Sequence, residues 1–299
     1  MLPFVFLDAE KLGPLKAFGL FFMVGLLVAD SLAAWRAKRI GHDEKNYRDF
    51  RVACLLGGLF VGHWIDIVFY HPGEILSHPW KLLVFWEGMS STGGFAGALM
   101  GTLVWKYFRF ARKGRFWFTA SRRAVPEQLL PYADVNCSVA PIPFAIGRMG
   151  CAMVHDHPGR LATPSSPFAL AWPLNEGDGV HHVFGPLHIV TGGSTARYDL
   201  GLLEAMVLVV LAGAFVCVWP AQKRMATGVF TAIACMSYGG IRFFLDMLRI
   251  SDGPDAELRH LGLTFAQYWS LAMVALGAFL LLRARWRPSA ATGLSTTSF

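Results

Sequence analysis

Apolar runs of about 20 residues, the length a helix needs to cross roughly 30 Å of hydrocarbon, recur near 17–34, 52–70, 82–105, 135–154, 200–219, 226–247 and 264–282. A water-soluble core would leave most of this surface without a partner. The 299 residues are 54% hydrophobic and only 16% charged, so the chain reads as an all-α polytopic membrane protein with about seven transmembrane helices. Before the first run stand Asp8, Glu10 and Pro14 beside Lys11 and Lys16, with no small-x-small cleavage pattern after them. That run is expected to be a retained span rather than a removable signal.

Orientation follows from the basic residues, because Lys and Arg accumulate in cytoplasmic loops. Six lie after the first run (Arg36, Lys38, Arg39, Lys45, Arg48, Arg51) and seven after the third (Lys106, Arg109, Arg112, Lys113, Arg115, Arg122, Arg123). Lys223, Arg224, Arg283, Arg285 and Arg287 bring the total on one side to 18 of 27. The amino terminus is therefore expected outside and the carboxy terminus in the cytoplasm. The net charge of +7 reads as a topology signal and an attraction to anionic membrane lipid, with no nucleic-acid partner.

The chain is expected to form one transmembrane domain over 1–299, interrupted by an extracytoplasmic insert at 155–199 between spans four and five. Pro158, Pro164, Pro167, Pro173 and Pro186 argue against a long helix there. The apolar stretches Phe168–Trp172 and His188–Val190 favour an ordered cap of short strands and turns. Cys54, Cys137, Cys151, Cys217 and Cys235 have no metal-ligand spacing and read as small core residues.

An ionisable side chain at mid-bilayer costs ~3 kcal/mol or more, so such residues face the bundle interior and mark a site. Tyr238, Arg242, Asp246 and Arg249 stack on one helical face by i+3 and i+4 spacing. They form either a structural Arg–Asp pair or an anion clamp whose guanidinium is steadied by Asp246 and Tyr238. In the fourth run Gly147 and Gly150 flank Arg148, whose crowding by Asp156, His155 and His157 favours a second arginine aimed at an anion over snorkelling. The third run holds Glu87, Ser90, Thr92, Gly93, Gly94 and Gly97. A close helix crossing accounts for the glycines, whereas a broken helix lining a cavity would also account for the glutamate. His155 and His157 invite a metal reading that lacks a third and fourth ligand. His63 and Asp66 suit an interhelical hydrogen bond better than a relay.

These residues resemble those of the bacterial prolipoprotein diacylglyceryl transferases. The likeness runs through Gly13-Pro14 and Phe18-Gly19, Gly88-Met89-Ser90 with Gly93-Gly94, and Gly147-Arg148-Met149-Gly150 with Asp156 and Gly159. It continues through Arg197-Tyr198-Asp199 with Glu204, and Tyr238-Gly239-Gly240-Ile241-Arg242 with Asp246 and Arg249. The resemblance implies transfer of the diacylglyceryl group of phosphatidylglycerol to the lipobox cysteine thiol of a preprolipoprotein signal peptide, in the bacterial inner membrane, releasing glycerol phosphate. Arg148 and Arg242 would hold and neutralise the phosphate. Gly147, Gly150, Cys151, Asp156, Gly159, Glu204, Tyr238 and Asp246 would bind substrate, together with Thr92, Gly93 and Gly94. No metal or redox cofactor is implied.

Thr92 stands where the family has histidine, Phe18 where it has tyrosine, and Cys151 and Val154 where it has asparagine. A thiol is only a few per cent ionised at neutral pH and benefits from a base. His155 and His157 are the residues near Arg148 able to replace the lost histidine. The alternative reading is a catalytically altered paralogue that binds phospholipid without transferring it. Thr92, Phe18 and Val154 favour that paralogue; Arg148, Asp156, Glu204 and Arg242 favour the enzyme. A solute transporter would carry internal repeats, which the sequence lacks.

Overall fold

The computed structural model describes residues 1–7, 17–85, 88–113, 117–173, 180–184, 187–190, 194–250 and 259–286. In chain order, strand β1 (Phe4–Leu7) precedes helices α1 (Ala17–Ile40) and α2 (Glu44–Ile65). A π-helical turn (Asp66–Tyr70) leads to α3 (Pro72–Ser77), a 3₁₀ turn (Pro79–Leu83) and α4 (Ser91–Tyr107). Strands β2 (Phe108–Lys113) and β3 (Trp117–Arg122) come next, then α5 (Leu129–Val139) and α6 (Pro141–Val154). Five strands follow: β4 (Pro158–Leu161), β5 (Leu170–Pro173), β6 (Val180–Phe184), β7 (Leu187–Val190) and β8 (Ser194–Asp199). Helices α7 (Leu200–Val218) and α8 (Val229–Asp246), the short β9 (Arg259–His260) and β10 (Leu263–Thr264), and α9 (Phe265–Trp286) complete the order.

The protein is a polytopic helical membrane protein. Among the described residues five helices, Ala17–Ile40, Glu44–Phe69, Leu200–Arg224, Val229–Asp246 and Phe265–Ala284, are long and apolar enough to cross a bilayer. The pair Leu129–Val139 and Pro141–Val154, bent by 49° at its break, makes a sixth if counted as one span. Pro141 explains the break, since it supplies no N–H to the preceding turn. Large apolar side chains point outward along these helices, among them Leu27 at 63% and Val210 at 73% exposed, which suits lipid and not water.

The third predicted span differs most from expectation. Helix occupies only its second part: α4 is 17 residues, about 26 Å at 1.5 Å per residue. Gly88 has φ 115°, outside the helical region, and Ser90 restarts the helix by accepting from Gly93 N at 3.3 Å. Glu87, which motivated a cavity, lies outside the described residues.

The chain divides into two compact units, Ala33–Val135 and the remainder, Met1–Leu32 with Asn136–Phe299. In the first, α2 and α4 meet backbone to backbone, because a Cβ on Gly57 would run into the carbonyl of Gly97, and one on Gly101 into that of Ala53. The close-crossing reading of these glycines therefore describes Gly93 and Gly97, both buried. His63 is fully buried and both ring nitrogens face carbonyls, of Gly88 at 3.1 Å and Lys81 at 2.9 Å, a structural tie and not a relay. The β2–β3 hairpin, which nothing in the sequence pattern announced, follows α4 directly.

In the second unit the described residues of 155–199 form short strands, as the prolines and apolar stretches suggested, in two sheets ordered β4-β8-β5 and β1-β7-β6. Strand β1 comes from the amino terminus and pairs antiparallel with β7, Phe4 opposite Val190. Phe4, Leu170 and Val190 make a small apolar core beneath the cap, with Trp172 against it. None of the five cysteines forms a disulfide. Cys151 and Cys235 are buried as expected, but Cys217 is exposed, on a helix whose outward face is lined with apolar side chains.

Candidate functional site

Helix α6 begins at Pro141, whose fixed φ suits a first helical turn, and ends at His155, which adopts φ 52°. Its last turns carry Arg148 and Cys151. Gly150 lets α1 approach, since a Cβ there would lie 2.8 Å from the Phe21 Cβ; Gly147 meets nothing within 4 Å. Gly201 plays the same part for α7, where an added Cβ would lie 3.0 Å from Ala152 N and Cys151 Cβ. Both glycines let helices come close enough for polar groups to meet inside an apolar bundle.

At that meeting point Glu204 of α7 is wholly buried. Its Oε2 receives Arg148 Nε at 3.0 Å and Arg242 Nη1 at 2.5 Å. Its Oε1 accepts from the Tyr238 hydroxyl at 2.7 Å. Two guanidiniums from α6 and α8 thus converge on one carboxylate. The i+4 stacking of Tyr238, Arg242 and Asp246 on α8 is as the spacing predicts, yet Asp246 Oδ1 lies 3.6 Å from Arg242 Nη2 and is the minor partner. Asp246 is instead held by Arg249 Nε at 3.4 Å and by the Thr264 hydroxyl. The Tyr238 hydroxyl is spent on Glu204.

Sequence reasoning placed Glu204 among the substrate-binding residues and missed that it is the hub. The signal was present: an acid inside the apolar run 200–219 demands a buried cation. Thr264 and Gln267, which brace Asp246 and the start of α9, were missed and carry no motif; Thr264 N donates to Gln267 Oε1 at 3.0 Å.

The segment after α6 completes the site. Asp156 Oδ1 lies 2.5 Å from His157 Nδ1, and His157 Nε2 lies 3.5 Å from Arg148 Nη1. Arg148 Nη1 also stands 3.7 Å from Cys151 Sγ. Ligand atoms of Cys151, Asp156 and His157 fall within 4.8 Å of one another, whereas both ring nitrogens of His155 face Asp199 and the Val5 carbonyl, so the two histidines of the His-x-His pair point to different partners. By donor type Cys151, Asp156 and His157 suit a divalent cation, but the Arg148 guanidinium already supplies positive charge to that space.

His155 has a different setting. Its Nδ1 lies 2.6 Å from Asp199 Oδ2 and its Nε2 2.9 Å from the Val5 carbonyl, while its ring stacks on Phe4 at 3.7 Å. The other Asp199 oxygen accepts from Leu202 N at 2.9 Å and caps α7. Gly159 packs β4 against its surroundings: an added Cβ would lie 2.9 Å from Tyr198 O and 3.0 Å from Leu248 O. Arg197 donates to the Gly159 carbonyl at 3.2 Å. Thr92, Gly93 and Gly94 fall in the other compact unit, in the first turn of α4.

Curated relatives match nearly end to end. Proteins named phosphatidylglycerol–prolipoprotein diacylglyceryl transferase from Janthinobacterium sp. (strain Marseille), Chromobacterium violaceum and Sinorhizobium medicae are 28%, 29% and 30% identical. The alignments cover 92%, 92% and 97% of this chain and 93%, 94% and 97% of theirs. The sequence profile of prolipoprotein diacylglyceryl transferases matches residues 8–283, a stretch that contains every residue of the Arg148–Glu204–Arg242 cluster, and the chain belongs to that family.

Proposed function

We propose that this protein transfers the diacylglyceryl group of phosphatidylglycerol to the cysteine thiol of a prolipoprotein, forming a thioether and releasing glycerol phosphate. The observation that carries the reading is the convergence of Arg148 and Arg242 on Glu204. Two guanidiniums and one carboxylate leave the cluster with a charge of +1, which complements the single negative charge of a phosphodiester. When the glyceryl carbon–oxygen bond breaks, the departing phosphate gains a second negative charge. Arginine forks stabilise that developing charge in a water-poor site, which favours the transition state over the bound lipid. Gly147, Gly150, Cys151, Asp156, Gly159, Tyr238 and Asp246 shape and brace this pocket in the same reading. Thr92, Gly93 and Gly94 are assigned to substrate binding from family resemblance alone.

The reading includes a seven-span topology in the bacterial inner membrane, with the amino terminus and cap outside and the signal peptide of the acceptor presented there. Strand pairing supports the count. β1 pairs with β7, so an even number of crossings must separate them. α1, α2 and the bent pair alone give three; adding α4 gives four. Helices α7, α8 and α9 then bring the total to seven and the carboxy terminus to the side of the basic loops. On this view the two units act as one membrane domain.

The test is transfer itself: membranes carrying the protein, phosphatidylglycerol and a lipobox peptide should yield a peptide heavier by one diacylglyceryl group at cysteine. A peptide that stays unmodified while a characterised relative modifies it would overturn the proposal.

A further inference from the structure

We infer that His157, held by Asp156, is the base that takes the proton of the acceptor thiol, and that Arg148 masks it until lipid phosphate arrives. The inference rests on the function proposed above and names a residue for the step that the family histidine, here Thr92, would have served.

The geometry separates the two histidines. Both ring nitrogens of His155 face acceptors, Asp199 and the Val5 carbonyl, and its side chain is only 7% exposed, so no lone pair is offered to a substrate. His157 is 24% exposed, and its partner Asp156 43%, so an acceptor peptide can reach the ring. Arginine can only donate, so the Nε2 that faces Arg148 Nη1 at 3.5 Å presents its lone pair there. The Nδ1 proton is then the one shared with Asp156 at 2.5 Å. Both neighbours thus select the same tautomer, neutral and with Nε2 as acceptor, which is the form a general base requires.

Arg148 has two duties that compete. A phosphodiester entering beside Glu204 draws the guanidinium towards itself and off Nε2, which frees the lone pair when the lipid is in place. The acceptor S–H then gives its proton to His157 Nε2 as sulfur bonds to the terminal glyceryl carbon. The carbon–oxygen bond of the phosphoester breaks, and its electron pair leaves on glycerol phosphate between Arg148 and Arg242. The imidazolium returns its proton to water or to the departing phosphate. Lipid before thiol is the order this arrangement imposes.

The experiment compares wild type with His157→Gln, His157→Gly and Asp156→Asn in phosphatidylglycerol vesicles with a lipobox peptide. The His157 carbonyl, which accepts from Leu200 N at 3.1 Å, is untouched by these changes, so the cap and α7 keep their junction. The inference expects kcat to fall about 100-fold or more in His157→Gln with KM for lipid little changed. Added imidazole should restore turnover in His157→Gly, and Asp156→Asn should fall less than His157→Gln. Wild-type rates in His157→Gln, or a loss that imidazole does not relieve, would overturn the inference while leaving the transferase reading intact. Absence of transfer by wild type overturns both.

Discussion

Glu204 Oε2 lies 2.5 Å from Arg242 Nη1, and the same oxygen also holds Arg148 at 3.0 Å. One carboxylate thus fixes two guanidiniums contributed by different helices. A shared carboxylate orients both forks, which limits the reorganisation needed when charge develops.

Replacing either arginine should therefore cut transfer sharply without preventing insertion. Arg148→Ala and Arg242→Ala each remove a charge-assisted contact that strengthens in the transition state. Loss of 2–4 kcal/mol of stabilisation, about 30- to 1,000-fold in rate, is the order expected for one such donor. Lysine should rescue poorly, since a point charge cannot bond Glu204 and phosphate with one planar fork. Full activity in either alanine variant, measured by peptide mass shift, would mean the arginine is only structural.

Glu204→Gln probes the other side of the cluster. The amide keeps the shape but leaves buried Arg148 without its carboxylate and Arg242 with only its minor partner, Asp246 at 3.6 Å. Breaking a buried pair in this way costs about 3–5 kcal/mol. The variant should unfold at lower temperature in detergent and accumulate poorly, and anionic lipid should stabilise it more than it does wild type. Unchanged thermal stability would show that solvent or another acid compensates Arg148 and Arg242.

The sequence alone exposed much of this, for reasons that can be located. Arg148, Arg242 and Asp246 were conspicuous because charge inside an apolar run is costly, and i+4 spacing placed Tyr238, Arg242 and Asp246 on one face. Three features stayed hidden. The pairing of Arg148 with Glu204 spans 56 positions and depends on helix packing that no local pattern encodes. The junction of β1 with β7 brings Val5 to His155 across 150 positions. The early part of span three looked like helix by hydropathy, while Gly88 at φ 115° and the Ser90 cap move the true start to Ser91.

His155 should prove a clasp and not a base. Removing its ring in His155→Ala unpairs Asp199 Oδ2 and the Val5 carbonyl and leaves Phe4 without its stacked partner. An unsatisfied buried group costs roughly 1–3 kcal/mol. The expected result is faster proteolysis within the cap, with cleavage first appearing near β1, and a fall in turnover that imidazole does not relieve. Imidazole rescue of His155→Ala would instead place a base there.

Topology can be read with reporters fused after Arg48, after Arg115 and near Asn175. The concentration of 18 of 27 basic residues on one side predicts cytoplasmic signals at the first two and an external signal at the third. An external signal at Arg115 would mean that α4 does not cross, and the β1–β7 pairing would then lose its even count of crossings.

The crossing of α2 and α4 offers a test of packing inside the Ala33–Val135 unit. Gly57, Gly97 and Gly101 meet backbone, so a side chain at any of them has no flexible neighbour to push aside. Gly101→Val should separate the helices, since its Cβ would strike the Ala53 carbonyl, an atom fixed by the helix it belongs to. Overpacking of this kind costs typically 1–3 kcal/mol even in cores that relax, and a helix main chain relaxes less than a side chain. Gly94→Ala is the control, because its Cβ would meet nothing within 4 Å. Thermal unfolding in detergent should show a clear loss for Gly101→Val and little change for Gly94→Ala. Equal stability of the two variants would mean that α2 and α4 do not approach through these glycines, and that their place in the third span serves another end.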